Sequence, residues 1–299
     1  MNNYQIFCDS SCDLPDEFIS LYHIVRIPFY VSFDKNTYKR ELVDISLDEF
    51  YTTMTANPTF PSTSLPSVQD YINKFKVAIE QGLDILCICL SANFSGSYQS
   101  ALNAKSILEE DYPHAKIEVI NSIQATVGEG LTVLQAAYMQ EAGYTLEETK
   151  NKLLELRKTS RILFTVDTLD YLQRGGRIGK VSSIAGTLLN LKPLIELKEG
   201  ELLPYGTVRG RSKSLSRILE MTDEHFKSNQ LSFDDYDFAL ATGSCEGDAY
   251  KLKEGLEDMI GRRISYPMFS IGITIGTYTG PDALGLCFIE KYNRNHEKH

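Results

Sequence analysis

The sequence lacks the features that mark membrane, secreted and nucleic-acid-binding proteins. No apolar run approaches the ~20 residues that a membrane-spanning helix needs, and the N-terminus shows no basic region followed by an apolar core, as a signal peptide would. The net charge is −10, and no cluster of lysine or arginine offsets it, which disfavours binding to nucleic acid or to an anionic membrane. We therefore expect a cytoplasmic protein with no nucleic-acid partner and no stable insertion into a membrane.

The spacing of cysteine and histidine gives no sign of a metal site. None of the six cysteines forms a C-x-x-C pair, and Cys87 and Cys89 alternate within a run that is typical of a buried strand. The five histidines show no recognisable catalytic or metal-ligand spacing. Buried, reduced thiols in a cytosolic protein are the favoured interpretation. We therefore predict neither a metal nor a cofactor.

Common catalytic and nucleotide-binding motifs are also missing. The sequence contains no G-x-S-x-G elbow, no G-x-x-x-x-G-K-[ST] loop and no G-x-G-x-x-G fingerprint. It does contain three predicted loops that are rich in small hydroxyl residues, at residues 61–67, 91–97 and 276–281. None of the three holds a general base, which favours hydroxyl groups that clamp an anion over a serine or threonine nucleophile.

The second of these loops follows a predicted buried strand and leads directly into a helix. The apolar residues 83–90 predict the strand, and Ala101, Ala104 and Leu108 lie on one face of the predicted helix. The start of a helix presents unpaired backbone N–H groups and the positive end of the helix dipole, so this turn is a candidate anion site. The alternative is that Ser95 or Ser97 only caps the helix.

The order of the predicted elements indicates an α/β protein with two domains. Hydrophobic residues make up 42% of the chain and charged residues 23%, which is ordinary globular composition. Strands alternate with helices over residues 1–160, which indicates a mostly parallel sheet in an N-terminal α/β domain. The pattern changes near Ser160, so residues 161–299 are predicted to form a second α/β domain. This second part is predicted to contain a helix at 181–189, a hairpin at 192–208 and a strand near 264–275.

A series of short motifs resembles the DegV family, which comprises bacterial fatty-acid-binding proteins and includes the binding subunits of fatty acid kinase. The motifs keep the same order over nearly the whole chain. They are D-S-S-C-D-L-P (9–15), P-S-T-S-L-P-S (61–67), L-S-A-N-F-S-G-S-Y-Q-S-A (90–101), V-D-T-L-D-Y-L-Q-R-G-G-R-I (166–178), L-K-P (191–193), V-R-G-R (208–211) and residues 276–285.

The resemblance implies a protein without catalytic activity of its own that carries a long-chain fatty acid such as palmitate. The acyl chain would lie in an apolar tunnel at the interface of the two α/β domains. The carboxylate would be held by the hydroxyl groups of Thr63 and Ser95, with Ser64 and the N–H group of Gly96 as neighbours. Tyr278, in the third loop, would complete the site.

One position departs from the family pattern. The third loop usually reads G-T-H-T-G-P-G in the family, whereas Tyr278 replaces the histidine here. Histidine can supply a positive charge to a carboxylate or an acyl phosphate, but a tyrosine hydroxyl is a neutral donor. The replacement therefore bears more on partnership with a kinase than on lipid binding.

The resemblance also implies a partner, because a separate kinase subunit phosphorylates the carried acid in the family's kinase systems. The V-R-G-R motif would place Arg209 or Arg211 near the docking surface for that subunit. The alternative is that both are ordinary surface arginines at the start of a helix.

An enzyme is the rival prediction for the whole chain. A small-molecule phosphotransferase or hydrolase could use Ser95 as its nucleophile, but it would need a histidine, aspartate or lysine within reach. Asp9 and Asp167, at the ends of predicted strands, are the candidates for that base.

Overall fold

The computed structural model describes residues 4–56, 60–184 and 191–293. The strands in these ranges are β1 Tyr4–Asp9, β2 Val25–Ile27, β3 Tyr30–Ser32, β4 Lys39–Arg40, β5 Ser62–Ser64, β6 Asp84–Cys89, β7 Ile117–Asn121, β8 Arg161–Thr165, β9 Leu191–Lys198, β10 Glu201–Arg209, β11 Tyr236–Thr242, β12 Met268–Ser270 and β13 Leu284–Glu290. The α-helices are α1 Asp16–Leu21, α2 Leu47–Ala56, α3 Val68–Glu80, α4 Ser97–Asp111, α5 Thr126–Glu141, α6 Leu146–Leu156, α7 Asp170–Arg174, α8 Arg211–Ser228, α9 Glu246–Ile260 and α10 Ile273–Thr279. Short 3-10 helices occupy Ser10–Cys12, Gly179–Ile184 and Phe233–Asp235.

The N-terminal sheet is parallel throughout, in the order β2-β1-β6-β7. Its two central strands pair Ile6 with Leu86, and their side chains are buried on both faces of the sheet. Such burial explains why β6 is apolar from Ile85 to Cys89, since helices cover both faces of a parallel sheet. The predicted α/β fold with a parallel N-terminal sheet is confirmed.

The second sheet has six strands in the order β10-β9-β8-β13-β11-β12. Neighbouring strands run antiparallel except β11 and β12, which are parallel. The predicted hairpin is confirmed as β9 and β10, joined by Glu199 and Gly200, which both have positive φ angles. A two-residue turn with positive φ at both positions matches the right-handed twist of the flanking strands.

A small sheet in the order β4-β3-β5 joins the first predicted hydroxyl loop to the body of the protein. Strand β2 belongs to the parallel sheet, and β3, which begins only three residues after β2 ends, belongs to this small sheet. The chain changes sheets at Pro28 and Phe29, and the Phe29 N–H group donates to Ser10 Oγ (2.9 Å) instead of to a strand. Proline cannot donate to a β-ladder, which is why the strand breaks there.

The predicted strand near 264–275 is confirmed only for Met268–Ser270, and the predicted loop at 276–281 is wrong. Helix α10 follows β12 and ends at Thr279, and its C-cap residue Gly280 has a φ angle of +81°. The β-branched residues suggested a strand, but the hydroxyl groups of Thr277 and Thr279 donate to the carbonyl oxygens four residues earlier and fit a helix. The predicted helix at 181–189 is a 3-10 helix as far as Ile184, and its remainder lies outside the described residues.

Helix α5 lies between the two large sheets, where it contacts β1 and β6 on one side and β11 and β13 on the other. Every residue from Thr126 to Ala137 is buried, which accounts for a helix that is not amphipathic. One hydrophobic core therefore contains residues of both sheets, from Ile6 to Ile289. The division at residue 160 stays a prediction. None of the helices in the described ranges is both long and apolar enough to cross a bilayer.

Candidate functional site

A cavity of about 270 Å³ lies between the two large sheets, beside the start of α5. Its walls come from both halves of the chain and are mostly apolar. Among the apolar lining residues are Phe29, Leu90, Phe94, Ile162, Phe164 and Leu197. The chemistry of such a lining suits an elongated hydrocarbon ligand with a polar group at one position.

The five residues predicted to hold a carboxylate all line this cavity: Thr63, Ser64, Ser95, Gly96 and Tyr278. Thr63 and Tyr278 are far apart in sequence, but their hydroxyl oxygens lie 2.7 Å apart. β5 pairs with β3 and thereby fixes Thr63, while α10 carries Tyr278. The structure thus brings the three predicted loops together, and their role as a carboxylate clamp stays a prediction.

Loop 91–96 presents the start of α4 to the cavity. Gly96 is the N-cap residue of α4, and no side chain caps the helix from that position. Ser95 lies one residue before the N-cap, and its Oγ accepts a hydrogen bond from the Ser97 N–H group (3.2 Å). A Cβ atom on Gly96 would lie only 3.2 Å from the Leu65 side chain. The absence of a side chain at Gly96 therefore lets this loop approach the loop at residues 61–67. The capping alternative therefore holds in part for Ser95.

Asp9 fixes this loop from behind. Its Oδ2 accepts hydrogen bonds from the Leu90 N–H group (3.0 Å) and from Ser97 Oγ (2.7 Å), and its Oδ1 accepts from Ser11 Oγ (2.6 Å). Burial raises the pKa of the Asp9 carboxyl, and these hydrogen bonds partly offset the rise. The side chain is completely buried and bonds to the loop's backbone and to Ser97, so the structure makes Asp9 an anchor of the loop.

Arg177 is a site residue that the sequence prediction missed. Its guanidinium carbon lies 4.8 Å from the centre of the Tyr278 ring, and its Nε–H group donates to the Phe94 carbonyl oxygen (3.3 Å). Gly175 makes room for this contact, because a Cβ atom there would lie 2.2 Å from Tyr278. Arg177 therefore places a positive charge beside the Tyr278 ring. In the sequence, Arg177 lies in the motif at residues 166–178, which carries the family resemblance but does not show that this side chain lines the cavity.

The two arginines predicted to face a partner differ in their surroundings. Arg209 is exposed at the end of β10. Arg211 is mostly buried, with its Nε 3.1 Å from Asp248 Oδ2 and its Nη1 3.8 Å from Asp167 Oδ1. Its Nη2 also lies 3.0 Å from Cys245 Sγ. Arg211 is therefore engaged within the protein, whereas Arg209 is exposed, and a docking role for either residue stays a prediction.

The rival enzyme prediction needs a base beside Ser95. Among the described residues that line the cavity, Arg177 is the one charged side chain, and none is a histidine, aspartate, glutamate or lysine. Asp167 lies outside this lining and forms an ion pair with Lys192 (2.7 Å). The described part of the cavity therefore offers Ser95 hydrogen-bonding groups but no proton acceptor of the kind that a serine nucleophile requires.

The cysteines are free thiols, and all are buried except Cys245, which is half-buried. Burial raises the pKa of the Cys87 and Cys89 thiols, so both are poor nucleophiles. Within the described ranges no group of three or more histidine, cysteine, aspartate or glutamate side chains could hold a metal ion.

Comparison with protein families gives a match over residues 3–291 to the model described as "Uncharacterised protein, DegV family". The chain belongs to the DegV family. The predicted resemblance is thereby confirmed. A DegV domain-containing protein of Clostridium perfringens is 32% identical to this DegV chain, over 98% of the chain and 100% of the relative.

Solved structures of other DegV proteins have the same fold. This DegV chain is similar to a stearic-acid-binding protein from Eubacterium ventriosum, with 39% identity, a TM-score of 0.92, and coverage of 97% of this chain and 99% of that one. It is also similar to a fatty-acid-binding DegV family protein from Thermus thermophilus, with 29% identity, a TM-score of 0.85, and coverage of 96% and 99%. The likeness extends over essentially the whole of each chain.

Proposed function

We propose that this DegV chain binds one long-chain fatty acid, such as palmitate, in the cavity between its two sheets. The observation that carries the proposal is the meeting of Thr63, Ser95 and Tyr278 on one cavity whose walls are mostly apolar. The solved relatives that bind fatty acids support it. In this proposal the chain is a carrier and performs no reaction of its own.

The carboxylate would be held by neutral donors with one cation nearby. Thr63 and Tyr278 now share a hydrogen bond with each other (2.7 Å), and a carboxylate between them would accept a bond from each. Ser95 Oγ and the Gly96 N–H group would complete the set, with Ser64 at the edge and Arg177 supplying the positive charge. Such partners are required, because an unpaired carboxylate in an apolar cavity would cost several kcal/mol.

The acyl chain would supply most of the binding free energy. Each CH₂ group removed from water contributes roughly 0.8 kcal/mol, so a chain of about fourteen contributes on the order of 11 kcal/mol before ordering costs. The clamp then fixes which end of the acid faces the three loops. A complex held in this way releases its ligand slowly, so we infer that transfer to an acceptor requires contact with a membrane or a protein that opens the cavity.

We further propose that Arg209 is the side chain through which the carrier meets a fatty acid kinase subunit. Arg209 is exposed, whereas Arg211 is engaged with Asp167 and Asp248. Arg177, placed over the Tyr278 ring, would take over the charge that a histidine supplies elsewhere in the family. Arg209→Ala should weaken binding to such a subunit and leave palmitate binding unchanged.

Native mass spectrometry of the purified chain tests the carrier proposal. We expect a bound mass that matches a C16 or C18 acid and disappears on denaturation, and we expect the Thr63→Val, Ser95→Ala double variant to carry much less of it. The same samples should not turn over a nitrophenyl acyl ester, so that no more than one equivalent of ester is hydrolysed for each chain. A chain that purifies empty, takes up no added palmitate and turns over the ester would contradict the proposal and favour the enzyme.

A further inference from the structure

A buried pair of carboxyl groups lies behind loop 91–96. Asp9, at the end of β1, and Glu129, in α5, are both completely buried, and their carboxyl groups lie within hydrogen-bonding reach of each other. Helix α5 packs against the 3-10 helix Ser10–Cys12, which brings Glu129 to Ser11. Two carboxylates buried this close repel each other, so one member of the pair holds a proton at neutral pH.

The hydrogen bonds to Asp9 suit a charged carboxylate. Its Oδ2 accepts from the Leu90 N–H group (3.0 Å) and from Ser97 Oγ (2.7 Å), and its Oδ1 accepts from the hydroxyl (2.6 Å) and the N–H group (3.3 Å) of Ser11. Glu129, by contrast, contacts the Ser11 hydroxyl, and its Oε1 has no donor among the described residues. Donors that bond to a carboxylate favour its charged form, which places the charge on Asp9 and the proton on Glu129.

The single hydrogen of the Ser11 hydroxyl gives the same assignment. Ser11 Oγ lies 2.6 Å from Asp9 Oδ1 and 2.9 Å from Glu129 Oε2, and a hydroxyl group has one hydrogen to donate. The shorter contact takes that hydrogen, so the contact with Glu129 is a hydrogen bond when Glu129 is protonated and donates to Ser11 Oγ. Burial and then the Asp9 carboxyl raise the pKa of Glu129 well above its usual range, which agrees with a neutral side chain.

Asp9 Oδ2 holds both ends of loop 91–96, which is one wall of the proposed clamp. Leu90 immediately precedes the loop, and Ser97 is the first residue of α4. Because Ser97 gives its hydrogen to Asp9, the Tyr71 hydroxyl, 2.6 Å away, donates to Ser97. Hydrogen bonds to a charged acceptor are roughly twice as strong as neutral ones, so the position of the loop depends on the charge of Asp9.

We propose that Glu129 is a positioning residue of the clamp, and that its carboxyl group stays protonated and thereby keeps Asp9 charged and loop 91–96 in place. This inference rests on the proposed fatty-acid binding, because the loop carries Ser95. The other ionisable groups that face Glu129 are the thiols of Cys12, Cys87 and Cys89. These thiols bring no positive charge that could replace the proton.

Exchange of each carboxyl group for its amide tests the assignment, because an amide can imitate a neutral acid but not a carboxylate. Glu129→Gln keeps a donor for Ser11 and should leave palmitate affinity unchanged. Asp9→Asn places an NH₂ group among donors, so it should weaken palmitate binding about tenfold and methyl palmitate binding much less, and raise amide hydrogen exchange over residues 90–97. Asp237→Asn, on β11 and outside the cavity lining, is the matched control and should change none of these.

Infrared spectra at neutral pH detect the proton directly. The carbonyl stretch of a protonated carboxylic acid should lose intensity in Glu129→Gln and keep it in Asp9→Asn. If Asp9→Asn does not fold, Glu129→Gln still decides, because a full carbonyl band in this variant refutes the assignment.

The remaining outcomes separate this inference from the proposed function. A tolerated Asp9→Asn with an impaired or unfolded Glu129→Gln would place the proton on Asp9 and refute the inference, as would equal effects of the two exchanges. If the unaltered chain binds no palmitate while hydrogen exchange and infrared spectra follow the expectation, the proposed function fails and the role of Glu129 in holding the loop stands.

Discussion

The Tyr278→Phe substitution isolates the contribution of a single hydroxyl group to the proposed clamp. The phenylalanine ring keeps the contact with Arg177 and the packing against Gly175, and the change removes only the oxygen that lies 2.7 Å from Thr63. A hydrogen bond to a charged group contributes about 1.5–3 kcal/mol. We therefore expect palmitate to bind roughly 10- to 150-fold more weakly, a range that follows from about 1.4 kcal/mol for each factor of ten.

Isothermal titration with palmitate and with methyl palmitate measures this effect and separates it from a loss of fold. Methyl palmitate has the same tail but no charge, so its affinity should fall by much less than the affinity for palmitate. Tyr250→Phe is the matched control, because Tyr250 is 58% exposed and lies outside the cavity lining. Equal losses for both ligands would show that the Tyr278 hydroxyl does not contact the carboxylate, and no loss for either would remove it from the site.

Three further predictions concern the groups around the site and one histidine far from it. Gly175→Ala should displace Tyr278, because the new Cβ atom would lie 2.2 Å from its ring; both the melting temperature and palmitate affinity should fall, and an unchanged affinity would contradict the role of the ring. Asp9→Ala should weaken palmitate binding by loosening the loop that its carboxyl holds through Leu90, and amide hydrogen exchange should rise over residues 90–97 but not in α8. The pKa of His225 is lowered to about 4, first by burial and then by nearby cationic side chains. Below pH ~6.5 the unfolded chain therefore binds more protons than the folded one, so stability should be full above pH ~6.5 and fall towards pH ~4. The urea midpoint of the unaltered chain should fall more steeply over this range than the midpoint of His225→Gln, and two parallel pH profiles would contradict the assignment.

The sequence was most informative where local pattern and chemistry agreed. The strand, hydroxyl loop and helix start around Ser95 were predicted correctly, because an apolar run of strand length that is bounded by turn-forming residues is typical of a buried strand. The convergence of the three loops came from the family resemblance. Composition and spacing alone would not have brought Thr63 to Tyr278, because that contact depends on how β5 and α10 pack in three dimensions.

The errors have identifiable physical causes. The β-branched residues of α10 have strand propensity, and tertiary packing overrode it, as it often does for short segments. Arg177 was missed because a guanidinium over an aromatic ring leaves no sequence signal. The positive φ angle of Thr126 (+46°), at the start of α5, was also absent from the prediction, since such an angle at a β-branched residue is imposed by the surrounding fold rather than by local preference.

A crystal structure of this DegV chain with palmitate would decide whether the three loops hold the carboxylate. We expect the carboxylate oxygens within hydrogen-bond distance of Thr63 Oγ1, Ser95 Oγ and the Tyr278 hydroxyl, with the acyl chain running past Phe164 and Thr126 between the two sheets. A palmitate bound elsewhere, or one whose carboxylate lies at the opposite end of the cavity from these three hydroxyl groups, would contradict it.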